Sequence, residues 1–242
     1  MKKALLLTGL LLVLVASMAT AAGLSLNWGT ACWGDLPKAL TTFACTSNTT
    51  PANWKMTTSF KLDEEIADYI NMSTLIEGVS ETGAIPDWWK LSTTSECRGA
   101  ISNVWSSLTS GATCADPFES TATTISAYGY LVPGVEIRIA TDATLIAGVV
   151  APGETEIFLN VVTIKNGKTV GTPKCDGCLT GMVFGLYEVL IGREFNDVIR
   201  LTEPYEGGNQ CITWQRSFAG QPCNAPVPAR NTTWGQVKSL YR

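Results

Sequence analysis

Eight cysteines stand in a chain that contains no histidine. Cys32, Cys45, Cys97, Cys114, Cys175, Cys178, Cys211 and Cys223 form an even set, and an even set behind an export signal reads as disulfides. The signal follows the expected order: a basic start at Lys2-Lys3, an apolar run from Ala4 to Val15, then small residues around Ala19-Thr20-Ala21. Cleavage is expected after Ala21 or Ala22, so residues 1–22 are the signal peptide and about 220 residues remain as a single domain, 23–242. The apolar run is too short to cross a bilayer as a helix, which needs about 20 residues, so no membrane insertion is expected after the signal is removed. No cysteine sits at the cleavage site to receive a lipid. A basic-start signal suggests a bacterial source, and the localisation expected is exported: periplasmic, cell-surface or extracellular.

The cysteines fall into local couples, and nearest-neighbour pairing is the favoured expectation: Cys32 with Cys45, Cys97 with Cys114, Cys175 with Cys178, and Cys211 with Cys223. Cys175-Asp176-Gly177-Cys178 has the spacing of a redox dithiol. The strand formers Met182 to Tyr187 that follow it argue instead for a structural turn, because thioredoxin chemistry wants the first cysteine at a helix N-terminus. A zinc site completed by Cys211 and Cys223 is disfavoured, since their spacing exceeds the two to four residues usual in zinc knuckles. No metal and no cofactor is expected.

Composition removes further classes. Without histidine there is no Ser-His-Asp or Cys-His catalysis and no imidazole ligand or near-neutral proton switch. Losing Lys2 and Lys3 lowers the basic count from 17 to 15 against 21 acids, leaving a net charge of about −6, so nucleic acid is a poor partner. Apolar residues make up 45 %, enough for a sizeable core, and only 16 % are charged.

Abundant Thr, Val, Ile and aromatic residues, punctuated by 22 glycines and 11 prolines, favour strands. The expected architecture is all-β, a disulfide-braced, jelly-roll-like β-sandwich with a short C-terminal helix. Strands are expected at Leu24 to Trp28, Trp54 to Leu62, Val135 to Ile139, Leu145 to Val150, Gly185 to Ile191, Val198 to Thr202 and Cys211 to Trp214. Glu156 to Ile164, turning at Asn166-Gly167 into Lys168-Thr169-Val170, reads as a hairpin. Leu62, Ile66 and Ile70 recur at helical spacing behind Asp63-Glu64-Glu65, allowing one short helix. Asn231 or Thr232 can cap a C-terminal helix through Tyr241 that docks by Trp234, Val237 and Tyr241.

Asp87-Trp88-Trp89-Lys90 is the most suggestive binding feature. On a strand the adjacent indoles point to opposite faces, so one could lie open as a stacking platform beside Asp87; burial of both rings is the competing reading. Trp88 and Asp87 are therefore the candidate binding residues, for a glycan or a surface protein. Glu154 and Glu156, two apart on an expected strand, and Glu203 and Glu206 around Pro204-Tyr205 are the acid pairs a glycosidase would need, although solvated acids are the commoner explanation. Asp116 and Asp142 with the loop acids show no calcium-binding pattern. No residue is assigned a catalytic role.

Leu26-Asn27-Trp28, Thr42-Phe43-Ala44-Cys45, Pro86-Asp87-Trp88-Trp89, Lys168-Thr169-Val170-Gly171, the Cys175 to Cys178 turn, Ile212-Thr213-Trp214-Gln215 and the terminal Asn231 to Arg242 resemble a group of exported bacterial proteins to which no activity is attached. The resemblance covers most of the mature chain and implies a shared secreted β fold without catalytic residues to carry over. The expected β topology also resembles, at fold level, the sandwich of cohesin-type modules. These features favour a non-catalytic binding or structural module at the bacterial cell surface, with a secreted carbohydrate-active hydrolase using a carboxylate pair as the alternative.

Overall fold

In this computed structural model the residues described are 22–50, 54–91, 96–98, 104–105, 113–116, 123–193 and 197–215. The signal peptide, Cys223 and the expected C-terminal helix lie outside them. The described strands are β1 (Gly23–Trp28), β2 (Leu40–Thr41), β3 (Lys55–Lys61), β4 (Ile66–Ser80), β5 (Val104–Trp105), β6 (Thr123–Val132), β7 (Glu136–Ala151), β8 (Ile157–Thr163), β9 (Met182–Arg193), β10 (Val198–Leu201) and β11 (Cys211–Trp214). They make a small sheet ordered β1-β3-β8-β5 and a large sheet ordered β2-β11-β9-β4-β7-β6, with β10 pairing β9 beside that path. Pairing is antiparallel except for β2 on β11. The fold is thus an all-β, disulfide-braced sandwich.

The two layers meet through the alternate residues of each strand. Leu24, Met56, Phe60, Ile157 and Val162 from the small sheet share one core with Met72, Ile76, Ile137, Ile139, Phe184 and Ile191 from the large one. In β8 the apolar run does not alternate, because the strand is buried on both sides. Phe158 and Val161 turn outward and are covered by Cys32 and Cys114, while Leu159 and Val162 join the main core. A register shift opposite Thr58 and Ser59 also leaves Asn160 buried, where its amide donates to Thr74 Oγ1 (2.9 Å) and Thr141 Oγ1 (2.7 Å) of the large sheet. That side chain bonds one layer to the other.

The helical spacing at Leu62, Ile66 and Ile70 does not produce a helix. Register shifts between Ile66 and Tyr69 and between Tyr69 and Asn71 place Ile66, Tyr69 and Met72 in the buried set at intervals of three, so bulges in β4 imitate a helical period. With β7 and β9 flanking it, the strand satisfies its backbone in the ladder. Beyond Val135, which lies in the turn before it, the expected strands through Ile139 and from Leu145 to Val150 lie on one continuous β7 rather than on two strands. The expected hairpin at Asn166-Gly167 is also absent. Asn166 is buried, its amide donating to the carbonyls of Ser47 and Thr49 and its side-chain oxygen accepting from Thr169 Oγ1, so long-range bonds claim the turn residue and a loop runs on to β9.

Nearest-neighbour disulfide pairing is overturned for six of the cysteines. Cys32 joins Cys114, Cys45 joins Cys178 and Cys97 joins Cys175, at sequence separations of 82, 133 and 78 residues; Cys211 is also disulfide-bonded. Cys175 and Cys178 are therefore not a couple. Each ties the turn before β9 to a different distant segment, and loops this long contribute about 4–5 kcal/mol each in the chain-entropy account. Peptide mapping of the unreduced protein is expected to recover these three cross-links, and a Cys175–Cys178 peptide in folded material would contradict the arrangement.

Candidate functional site

Pro86 leads not into a strand but into a 3-10 turn, Asp87–Trp89, and this changes where the two indoles point. Trp88 and Trp89 are both fully buried, at 0 % exposure. Trp88 Nε1 donates to Thr169 Oγ1 (2.8 Å), one side of the ring carries the Arg98 guanidinium (3.6 Å to the centroid), and Trp54, Trp89 and Trp214 surround it at 4.8–6.0 Å. The Trp88 ring offers no face to a ligand. Asp87 lies outside on its own, ion-paired with Lys90 Nζ at 2.7 Å. The expected platform beside an acid is not formed, because a turn of this pitch sends consecutive side chains into the same core where a strand would divide them.

Trp214 on β11 is the hub of this interior. It stacks on Phe43 at 4.0 Å and meets Trp28, Trp54, Trp88 and Trp89 at 4.9–5.9 Å. The Cys175 to Cys178 turn closes over it: Trp214 Nε1 donates to the Cys178 carbonyl (2.7 Å), and the Asp176 carbonyl accepts from the Trp88 amide (2.9 Å). Gly177 has φ +108°, and a Cβ there would lie 2.2 Å from Pro86 Cβ, so only glycine fits between the cysteines. Beside the turn lies an open cavity of about 410 Å³ bordered by Glu81, Thr82, Lys174, Asp176 and Thr180. Its charges already have partners: Glu81 accepts from the Gly181 amide (2.8 Å) and Lys174 pairs with Asp176 (3.3 Å).

Arg98 is the residue the sequence did not advertise. Its guanidinium is buried, donating to the carbonyls of Trp88 (2.9 Å) and Lys165, and burial brings its pKa down to about 9. Arg98 follows Cys97 without any periodic or motif signal.

The acid pairs separate. Glu154 is exposed with φ +55°, whereas Glu156 is almost wholly buried. The Glu156 carboxylate accepts from the amides of Trp33 (3.0 Å) and Gly34 (2.8 Å), from Ser59 Oγ (2.5 Å) and from Tyr205 Oη (2.8 Å). Three of these donors converge on Oε1 and the Gly34 amide takes Oε2, so both carboxylate oxygens are engaged within the fold. Glu203 and Glu206 are both exposed. No group of three or more potential metal ligands occurs among the described residues. Among the tryptophans whose burial is described, Trp33 is the one partly open; its indole donates to the Gly207 carbonyl (2.7 Å), and its own loop also exposes Leu36.

Compared with known proteins, the chain matches no family model and no curated protein.

Burial of the phenols generates a pH test. Burial raises the pKa of Tyr69, Tyr128 and Tyr205, with a lesser contribution from the nearby charge of Asp116 to Tyr69, of Tyr130 and Glu96 to Tyr128, and of Glu156 to Tyr205. A raised folded-state pKa gives stability that is present below the unfolded value of about 10 and lost as pH rises above it. Arg98, with a lowered pKa, has the opposite sign but is one group against three. Ultraviolet titration is expected to show these tyrosines ionising only as the fold is lost at alkaline pH; ionisation of all the tyrosines near pH 10 with the fold intact would contradict the burial. Glu156→Ala is expected to cost about 2–3 kcal/mol in chemical denaturation, and to speed amide exchange in residues 29–38. Unchanged exchange there would show that the carboxylate does not hold the loop.

Proposed function

We propose that this chain is a non-catalytic exported module that binds or assembles at the bacterial cell surface, with a glycan or a surface protein as its partner. The observation that carries the reading is how the chemically able groups are used. The Glu156 carboxylate, the Arg98 guanidinium, the Trp88 indole and six of the cysteines all join strands and loops to one another. A catalyst keeps at least one such group open to a substrate. Export is supported by the disulfides, which persist in oxidising compartments, together with the basic-start signal. Among the described residues no helix is long and apolar enough to cross a membrane. Trp33, half-exposed on a loop tied down by Glu156 and Cys32–Cys114, is the tryptophan among the described residues available for contact.

The test is retention of the mature protein on insoluble polysaccharides and on bacterial envelope fragments, with released reducing sugar measured in parallel. Retention without sugar release, weakened about tenfold by Trp33→Ala, is expected from a contact of 1–2 kcal/mol. Bond cleavage abolished by Glu156→Gln would overturn the proposal in favour of a hydrolase.

A further inference from the structure

The two bridges that leave the Cys175 to Cys178 turn have unlike ends. Cys175 and Cys178 are buried, whereas their partners Cys97 and Cys45 are half-buried. Cys45, Cys175 and Cys178 all border the open cavity of about 410 Å³, so both bridges reach its wall. Gln215 Nε2 donates to the Phe43 and Cys178 carbonyls at 2.9 and 3.2 Å and also to Cys45 Sγ at 3.4 Å. At the other bridge Lys168 Nζ donates to the Cys97 carbonyl at 2.7 Å, while the neighbouring acid, Glu96, accepts from Tyr130 Oη at 2.7 Å. A cation beside a cysteine favours its thiolate, and a favoured thiolate leaves a disulfide faster. Only two residues part Cys175 from Cys178, the spacing at which redox proteins bond one cysteine to the other.

We infer that this cavity is a thiol-exchange site for a small dithiol, at which one equivalent of reductant rearranges both bridges into a single Cys175–Cys178 bond. The attacking thiolate bonds to Cys45 Sγ, Cys45 being the more exposed residue of its pair, and the Cys45–Cys178 bond breaks with its electron pair on Cys178. The Cys178 thiolate attacks Cys175 Sγ. Cys175–Cys178 forms, and Cys97 leaves as the thiolate and takes up a proton. The second thiolate of the reductant then closes on the sulfur that its own chain holds to Cys45, and the reductant departs as a cyclic disulfide. Cys45, supported by the Gln215 amide, takes up the other proton. The reductant loses two hydrogens while Cys45 and Cys97 gain one each, so the exchange balances. Its consequence is structural: the segments around Cys45 and Cys97 lose their ties to the turn, and the turn keeps a closed ring over the tryptophan cluster. This goes beyond the surface role proposed above and does not depend on it.

Treating the unreduced mature protein with one molar equivalent of dithiothreitol, trapping with N-ethylmaleimide and mapping the peptides tests this. The expected product carries label on Cys45 and Cys97 in equal amounts, and the tryptic peptide 175–193 is recovered unlabelled and two hydrogens lighter than its fully reduced form. A Cys97→Ser, Cys175→Ser double variant, its fold checked by far-ultraviolet circular dichroism, lacks the receiving bridge, and its label should move to Cys45 and Cys178. In the parent protein, label on Cys45 with Cys178, or on Cys97 with Cys175, would overturn the inference, because each bridge would then open alone. A first opening at Cys32–Cys114, or a protein that one equivalent leaves unlabelled, would overturn it too. The measurement contains no glycan or envelope, so its outcome and that of the retention assay are read separately.

Discussion

The arrangement depends on one turn. Cys175 to Cys178 sits over the tryptophan cluster, and its two sulfurs leave in different directions, one to Cys97 and one to Cys45. The turn also supplies carbonyls to the Trp88 backbone amide and the Trp214 indole, so covalent ties and hydrogen bonds to the tryptophan cluster converge within four residues. An indole buried without an acceptor loses a hydrogen bond to water that it does not recover. By giving the Trp214 indole its acceptor and holding the Trp88 backbone, the turn lets large aromatic rings from β1, the 3-10 turn at Asp87–Trp89 and β11 share one interior. β11 in turn pairs antiparallel with β9 of the large sheet.

Much of this was legible in the sequence. The expected strands at Leu24 to Trp28, Trp54 to Leu62, Gly185 to Ile191, Val198 to Thr202 and Cys211 to Trp214 match β1, β3, β9, β10 and β11, because their local composition and their tertiary setting agree. Misreadings occurred where long-range contacts override local chemistry. Asn166-Gly167 has the composition of a tight hairpin, but the Asn166 side chain is captured by Ser47 and Thr49, more than a hundred residues away. The short separation of Cys175 from Cys178 suggested a local bridge, yet spacing along the chain carries no information about which sulfurs the sheets bring together.

The candidate site was less legible than the fold. Trp88 and Asp87 were prominent because adjacent indoles on a strand must divide between two faces; Pro86 instead opens a 3-10 turn, and both rings go inward. Glu156 was visible only as half of an acid pair. Its role as the anchor of the Trp33 loop needs Tyr205 and Ser59, which come from separate parts of the chain. Arg98 left no signal at all, since a single arginine beside a cysteine looks the same whether it is solvated or stacked on a buried indole.

With the interior's polar and aromatic groups committed to one another in this way, the proposed binding role falls to the surface loop of Trp33. The most direct measurement is near-ultraviolet circular dichroism of a variant with Cys45, Cys97, Cys175 and Cys178 all changed to alanine, compared with the parent protein. If the turn organises the tryptophan cluster, the aromatic signal should collapse while the far-ultraviolet β spectrum persists. An aromatic spectrum unchanged by loss of both bridges would contradict the account.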